Sequence, residues 1–312
     1  MTQTIVARGT SSRKRAGSSR RIVQGVPMPS WPMRAFKGVV LLIFCAVVII
    51  PFVGVISTSV APDKQINESG GLVLFPKSVS FAAYETLFAG GVVTRALFVS
   101  IFVTIAGTLL SLTVSCLLAY ALSRPGFSAG RPILLVVLFS MLFSPGIIPT
   151  YLVVKGAGLL DSIWALIVPT MVSAFNVVVL RAFFMNLPNE ITESARIDGA
   201  GELKTFTYIV LPLSKAVLSV IGLFYAVAYW NAFFSALLYL NDSRLWPLQL
   251  VLRTYVINDT QLGSAELGTE RLPPQASIQM AILVISIVPI LLVYPFLQRH
   301  FAKGVLTGAV KG

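Results

Sequence analysis

The chain has 312 residues, of which 56% are apolar and only 12% are charged, and its formal net charge is +12. Ordinary soluble domains carry roughly a quarter of charged residues, so this composition excludes a soluble globular enzyme. The high apolar content excludes a disordered chain, and two cysteines are too few for a disulfide scaffold.

The first predicted segment is a flexible, basic, cytoplasmic tail over residues 1–35. It contains seven Lys or Arg residues and no acidic residue. A secretory signal peptide is the alternative, but the apolar stretch of a signal peptide covers only about 7 to 15 residues. The uncharged run that follows this tail has 25 residues. We therefore expect the first apolar helix to be retained.

Six uncharged, mainly apolar intervals follow the tail. A charged side chain at the bilayer centre costs about 2.5 to 3.5 kcal/mol, so membrane spans exclude such residues. The intervals have 19 to 28 residues, close to the roughly 20 that a spanning helix needs. They run from Gly38 to Pro62, Ala96 to Ser123, Pro132 to Val154, Ser162 to Leu180, Ala216 to Asn241 and Leu272 to Gln298. The sequence thus predicts an all-α, polytopic membrane protein with six transmembrane helices.

The distribution of basic residues predicts the orientation. An even number of spans places both termini on one side of the membrane. If that side is the cytoplasm, the inner segments hold 17 of the 24 Lys and Arg residues, as the positive-inside rule requires. We expect cytoplasmic N- and C-termini, a membrane domain over residues 36–300 and a C-terminal cytoplasmic tail over 301–312. The positive charge therefore reports topology and does not indicate a nucleic-acid partner.

The six intervals contain no group that could supply energy for transport. They hold no Asp, Glu, Lys, Arg or His, so a proton relay of the kind found in proton-driven carriers is absent from the spans. The chain also has no G-x-x-x-x-G-K-[ST] motif for ATP phosphates. If transport is active, a partner must provide the energy.

The sequence favours neither a serine-hydrolase site nor a metal site. Gly126 to Gly130 fits the G-x-S-x-G pattern of serine hydrolases, but that site needs a strand-to-helix turn, an acid and a histidine. The only histidine is His300, near the end of the chain. One histidine and two separated cysteines cannot form a tetrahedral metal site, so no metal site is expected.

The loop between the fourth and fifth intervals, residues 186–212, predicts a helix-turn-helix on the inner face of the membrane. Pro188 is suited to the start of a helix, and Gly199 can adopt the left-handed conformation that ends one. A second short helix is expected from Glu202 to Leu211, directly before Pro212. The small and acidic side chains of this loop would let another protein approach closely. An ordinary interfacial hairpin is the alternative interpretation.

The same loop carries a family resemblance. It contains Glu193-Ser194-Ala195, Asp198-Gly199-Ala200, Ile209 and Leu211-Pro212 in the spacing E-A-A, three residues, G, nine residues, I-x-L-P. This resembles the permease subunits of binding-protein-dependent ABC importers, and most of all the carbohydrate-uptake group related to the maltose permease subunits. Tyr229-Trp230-Asn231 and the closing run 298–312 support the resemblance. Ser194 occupies the second position of the triad, where the pattern has alanine, and this is a change between small residues.

The resemblance implies a non-catalytic permease subunit of an ATP-driven importer of sugars or oligosaccharides in a bacterial or archaeal cytoplasmic membrane. Its partners would be two cytoplasmic ATP-binding subunits, a second and paralogous permease, an extracytoplasmic sugar-binding protein and membrane lipid. No cofactor is expected on this chain, because the partner ATPase uses ATP and Mg²⁺. The resemblance assigns contact with that ATPase to Glu193, Ser194, Ala195, Asp198, Gly199, Ala200 and Pro212.

A substrate pathway for a neutral sugar needs uncharged hydrogen-bonding and aromatic side chains within the spans. Asn176, Tyr229, Trp230 and Asn231 meet this requirement. Most polar residues in membrane spans instead join helices to one another, which is the competing interpretation of these four. A channel or facilitator that moves a small neutral solute without partners is the alternative function.

Overall fold

The computed structural model describes residues 22–23, 26–27, 31–257 and 273–309, with the backbone alone for 22–23, 26–27, 189, 257 and 296–309. The chain divides into two units, residues 1–52 and 53–312. The predicted tail over residues 1–35 lies largely outside the described residues, and its flexibility stays a prediction.

The first unit contains one short strand pair and most of the first long helix. β1 (Ile22–Val23) pairs antiparallel with β2 (Val26–Pro27). Helix α1 (Trp31–Ser59) follows, and its large apolar side chains between residues 39 and 53 are exposed. A helix that is apolar on all its faces is typical of a segment surrounded by lipid or by other helices.

The described part of the second unit consists of helices and the segments that connect them. Its helices are α2 (Asp63–Glu68), α3 (Ala82–Ala89), α4 (Val92–Ser123), α5 (Gly130–Leu142), α6 (Ile147–Gly156), α7 (Trp164–Ile167), α8 (Ala174–Met185), α9 (Asn189–Ile197), α10 (Glu202–Thr205), α11 (Leu211–Leu213), α12 (Lys215–Trp230), α13 (Phe233–Tyr239), α14 (Leu248–Leu252) and α15 (Gln275–Ala309). Single 3₁₀ turns occur at Val168–Thr170 and Ser243–Leu245, and π-helical turns at Phe206–Val210 and Arg253–Ile257. The all-α prediction is confirmed, with β1 and β2 as the exception among the described residues.

Three helices in the described part of the chain are long and apolar enough to cross a membrane. They are Trp31–Ser59, Val92–Ser123 and Gln275–Pro295. Two bent pairs raise the number to five if each pair is one span: Trp164–Thr170 with Ala174–Met185, bent by 51°, and Glu202–Leu213 with Lys215–Trp230, bent by 84°. Helix α15 continues to Ala309, so no helix end coincides with the predicted boundary at residue 300.

The third predicted interval is not one helix. Over Pro132–Val154 the structure has the end of α5, a non-helical segment at residues 143–146, and most of α6. Pro145 disfavours a helical conformation of the residue before it, and Gly146 has a φ of +83°, which ends helical geometry. The prediction of a single continuous helix is therefore wrong for this interval.

The core that positions the functional site lies where α4, α8 and α12 pack together. Small and polar residues recur at spacings of seven, four and four positions along one face of α4 and are buried: Ser100, Gly107, Ser111 and Ser115. Ser100 accepts a hydrogen bond from the backbone N–H of Leu248 at 2.7 Å. This face of α4 lets α12 approach closely while the serine hydroxyls bond neighbouring segments.

Candidate functional site

A cavity of about 490 Å³ lies among α7, α8, α12 and α13. This is within the usual range for small-molecule sites, roughly 300 to 1,000 Å³. Its walls combine aromatic rings with uncharged polar groups: Leu166, Thr170, Ser173, Phe175, Asn176, Phe224, Tyr225, Ala228, Tyr229, Asn231, Ala232, Phe233, Phe234 and Ser235. No charged side chain belongs to this lining, so the cavity is suited to an uncharged part of a ligand.

The two tyrosines of the cavity are held by serines of α4. The hydroxyls of Tyr229 and Ser111 are 2.7 Å apart, and those of Tyr225 and Ser115 are 2.6 Å apart. The Tyr225 hydroxyl also accepts a hydrogen bond from the backbone N–H of Ser173 at 3.0 Å. That N–H is available because the helical path is interrupted before α8. Both hydroxyls are thus engaged inside the protein, and the two buried residues line the cavity with a small part of their surface.

Two asparagines supply the remaining polar character of the cavity wall. Asn176 is only 4% exposed, yet its side-chain amide makes no hydrogen bond with the described residues. Asn231 donates a hydrogen bond from Nδ2 to the carbonyl oxygen of Val227 at 2.8 Å, which leaves Oδ1 without a partner in the described structure. Buried polar groups are nearly always paired, so the Asn176 amide is a candidate ligand contact.

Trp230 is not among the residues that line the cavity. Its side chain is 6% exposed and packs among buried residues that include Leu248 and Ile282. Successive residues of a helix point about 100° apart, so Trp230 points away from the cavity that Tyr229 lines. Of the four predicted pathway residues, the structure brings Asn176, Tyr229 and Asn231 to the cavity and leaves Trp230 in the core.

Asp161 fixes the position of α13, whose first residues line the cavity. Its carboxylate accepts hydrogen bonds from the Asn241 backbone N–H, the Asn241 amide at 3.1 Å and the Asp242 backbone N–H at 3.1 Å. Its own N–H donates to the Tyr239 carbonyl oxygen at 2.9 Å. The hydrogen bond from the Asn241 side chain, followed by the two backbone N–H groups, lowers the pKa of Asp161.

The second candidate region is the hairpin formed by α9 and by the helical segment 202–213. Gly199 ends α9 with a φ of +77°. Its N–H donates to the Arg196 carbonyl oxygen at 3.0 Å, and the Ala200 N–H donates to the Ala195 carbonyl oxygen at 2.9 Å. These two bonds form a Schellman motif. The predicted helix-turn-helix and the predicted left-handed glycine are confirmed.

The predicted contact residues divide between the surface and the interior of this hairpin. Five of them are exposed: Glu193, Ser194, Asp198, Gly199 and Pro212. Ala200 is half-buried, and Ala195 is 7% exposed with its side chain turned toward the rest of the chain. Three large apolar side chains that the sequence analysis did not single out are also exposed there: Ile197, Tyr208 and Leu203. Exposed apolar side chains that form a contiguous patch mark contact with a protein or with the membrane.

A charged cluster joins the hairpin to the end of α4. Glu202 Oε1 accepts a hydrogen bond from Arg196 Nη2 at 2.6 Å, and Oε2 accepts one from the Tyr120 hydroxyl at 2.8 Å. Arg124 Nη2 donates to the Tyr120 hydroxyl at 2.6 Å. The hydrogen bond from Arg196, followed by that from Tyr120, lowers the pKa of Glu202. The Glu202 carboxylate is therefore ionised in the neutral range, and its contacts are lost only as the pH falls through that lowered pKa.

The sequence alone does not identify the residues of this cluster or the serines of α4 as functional residues. The serines show a weak signal, because spacings of eleven and four residues place Ser100, Ser111 and Ser115 on one face of a helix. Arg124 and Glu202 are far apart in the sequence and give no local signal. In residues 31–257 and 273–309, no group of three or more His, Cys, Asp or Glu residues could hold a metal ion.

Comparison with known proteins gives consistent matches over nearly the whole chain. A family model described as "Binding-protein-dependent transport system inner membrane component" matches residues 28–307. The polygalacturonan/rhamnogalacturonan transport system permease protein YtcP of Bacillus subtilis (strain 168) is 47% identical over 274 residues, which are 87% of this chain and 96% of that protein. Protein LplC of the same organism is 46% identical over 268 residues, 86% of this chain and 90% of that protein.

A solved structure is also similar. It is the crystal structure of a bacterial ABC transporter involved in the import of the acidic polysaccharide alginate. The matching chain aligns with a TM-score of 0.80 and 29% sequence identity, and the alignment covers 88% of this chain and 100% of that chain.

Proposed function

This chain belongs to the family of binding-protein-dependent transport system inner membrane components, and we propose that it forms half of the pathway for sugar or oligosaccharide uptake by an ATP-driven importer. It is a multi-pass permease subunit of a bacterial ABC importer, located in the cell membrane. Such a permease works with ATP-binding subunits, a second permease and an extracytoplasmic binding protein. We propose that the ATP-binding subunits are present in two copies, that the second permease is a paralogue, and that ATP and Mg²⁺ are used by the ATPase alone.

The substrate is proposed from the relatives and from the cavity chemistry. The relative YtcP is named for polygalacturonan and rhamnogalacturonan, and the structural neighbour takes part in alginate import. Aromatic rings and amide groups suit sugar rings and hydroxyls, because rings stack on the apolar faces of a sugar and amides bond its oxygens. We propose that Asn176, Tyr229 and Asn231 contact a saccharide in transit, with Trp230 supporting the helix that carries two of them.

We propose six spans, with α5 and α6 together forming one interrupted span and with both termini in the cytoplasm. The 17 basic residues of the inner segments support this orientation. In this arrangement the hairpin of α9 to α11 lies on the cytoplasmic side, where an ATPase would bind.

The hairpin carries the functional proposal. Its small and acidic contact set would lie in a cleft of the ATPase: the exposed Glu193, Ser194, Asp198, Gly199 and Pro212 and the half-buried Ala200, with Ala195 packing behind them. The exposed Ile197 and Leu203 would add apolar contact area. ATP-driven approach of two ATPases would then push the hairpins together and change the side on which the pathway opens.

The test is uptake by the complete importer with Gly199→Trp or Glu193→Arg. A Cβ at Gly199 meets no atom within 4 Å, so the added bulk would extend outward, although the left-handed φ of +77° also strains any side chain there. Glu193→Arg adds no such strain and therefore separates loss of the contact from loss of the turn. We expect normal membrane abundance and loss of ATP-dependent uptake. Glu85→Gln, at an exposed position on α3, is the control and should transport normally. Normal uptake by both hairpin variants would refute the coupling role. Solute movement by this chain alone in liposomes would instead favour the stand-alone channel.

A further inference from the structure

Glu202 fastens the hairpin to α4, and we propose that this carboxylate carries the movement of the hairpin to the substrate cavity. The inference rests on the proposed function, because it concerns the route by which the ATPase acts on the pathway. Glu202 is a positioning residue in this scheme and touches neither the ATPase nor the substrate.

The two carboxylate oxygens of Glu202 face different parts of the molecule. Oε1 bonds Arg196 of α9, within the hairpin itself. Oε2 bonds the Tyr120 hydroxyl and lies 3.6 Å from Arg124 Nε; Tyr120 lies in the last turn of α4, and Arg124 directly follows the helix. The Arg196 side chain is 51% exposed, whereas that of Arg124 is 19% exposed. Water therefore weakens the contact within the hairpin more than the contact with α4.

Aromatic packing accompanies the charged contacts on the α4 side. The ring centroids of Tyr120 and Phe206 are 4.8 Å apart, and Phe206 belongs to the second helical segment of the hairpin. The Arg124 guanidinium lies 4.3 Å from the centroid of the Tyr120 ring, a cation–π contact. Tyr120 is thus held by the hairpin through both its hydroxyl and its ring, so the two elements are joined by more than one solvated ion pair.

The other end of the route is the cavity. Helix α4 has 32 residues and contains no proline, so it transmits displacement as one rigid element. Ser115 lies five residues before Tyr120, about 7.5 Å along the helix axis. Ser115 and Ser111 hold the hydroxyls of Tyr225 and Tyr229 in the cavity wall. A displacement of the hairpin that pulls on Tyr120 would therefore move the two tyrosines that face the substrate.

The first experiment measures how many substrate molecules are imported per ATP hydrolysed by the complete importer in proteoliposomes. The variants are Glu202→Gln and Tyr120→Phe, which weaken the bridge and keep the side-chain size. We expect ATP hydrolysis at the wild-type rate and a fall of about fivefold in molecules imported per ATP, the size of effect produced by losing one partly exposed, charge-assisted hydrogen bond. A residue that only stabilised the fold would lower both rates together.

Glu85→Gln on α3 makes the same chemical change at an exposed site and should keep the wild-type ratio. Wild-type ratios in both bridge variants, with intact complexes, would overturn the inference. Absence of ATP-dependent uptake by the wild-type complex itself would instead contradict the proposed function, so the two failures are distinguishable.

A second experiment replaces the bridge by a covalent link. Arg124→Cys and Glu202→Cys are combined in a chain whose Cys45 and Cys116 are changed to Ala. We expect a low import ratio before treatment and recovery toward the wild-type ratio after reaction with a short bis-maleimide, because the hairpin and α4 would again move together. Arrest of uptake by the cross-link would show that the two elements must move relative to each other, and the inference would be wrong.

Discussion

At the scale of single residues, Gly107 sets how closely Tyr229 approaches α4. A Cβ at Gly107 would lie 2.8 Å from two ring carbons of Tyr229, which is closer than carbon atoms pack. The ring cannot swing aside freely, because its hydroxyl is bonded to Ser111. The absence of a side chain at Gly107 therefore determines the position of one wall of the cavity.

The variant Gly107→Ala tests this position. Overpacking a close contact costs about 1 to 3 kcal/mol, and here the strain can be relieved by moving Tyr229 into the cavity. We expect normal membrane abundance and an initial uptake rate several-fold lower in the assembled importer. Gly222→Ala on α12 is a matched control, because its added carbon would meet Leu112 at an ordinary 3.7 Å. Equal uptake by the two variants would show that the placement of Tyr229 does not matter for transport.

The sequence identified the cavity residues only where their chemistry was unusual for a membrane span. Asn176 and Asn231 are amides within apolar intervals, so they were predicted. Trp230 was grouped with them by adjacency alone, and the helical rotation between neighbours places it in the core. Glu202 was predicted only as the start of a helix, because its partner Tyr120 is 82 positions away and no local pattern relates the two.

At the scale of elements, the hairpin was predictable because its boundaries depend on backbone chemistry. Pro188 precedes the first residue of α9, and Gly199 takes the left-handed conformation that follows its end. Such signals act within a few residues and need no tertiary information. The break at residues 143–146 carried a similar signal in Pro145 and Gly146, but the hydropathy of the interval obscured it.

The variant Gly199→Ala tests whether the hairpin depends on its left-handed glycine. An alanine at this φ costs about 1 kcal/mol or more, which corresponds to roughly fivefold faster opening of the turn. We expect the Ala200 amide, bonded to the Ala195 carbonyl oxygen, to exchange its hydrogen faster by that factor. Gly201→Ala is the control, since Gly201 has a φ of −71° and open space around its Cβ position. Unchanged exchange in Gly199→Ala would mean that the turn does not need this residue.

At the scale of the whole molecule, the orientation in the membrane is open to a direct experiment. The positive-inside rule places the basic segment from Arg13 to Arg21 in the cytoplasm. We expect trypsin to cleave this segment in inside-out vesicles and to leave it intact in whole cells. A cysteine introduced at Ser78, in a segment predicted to lie outside, should react with an impermeant maleimide only from the outer face. Cleavage of the N-terminal segment from outside would reverse the orientation.

The engagement of both cavity tyrosines with serines of α4 bears on how fast the importer can turn over. Because their hydroxyls are already bonded and the two residues are only 3% and 4% exposed, they offer a passing sugar few directional hydrogen bonds and little contact area. A permease must release its substrate in every transport cycle, and weak binding shortens the time that each molecule stays bound. The extracytoplasmic binding protein would then select among saccharides. The membrane pathway would be less selective and would allow a higher rate of transport.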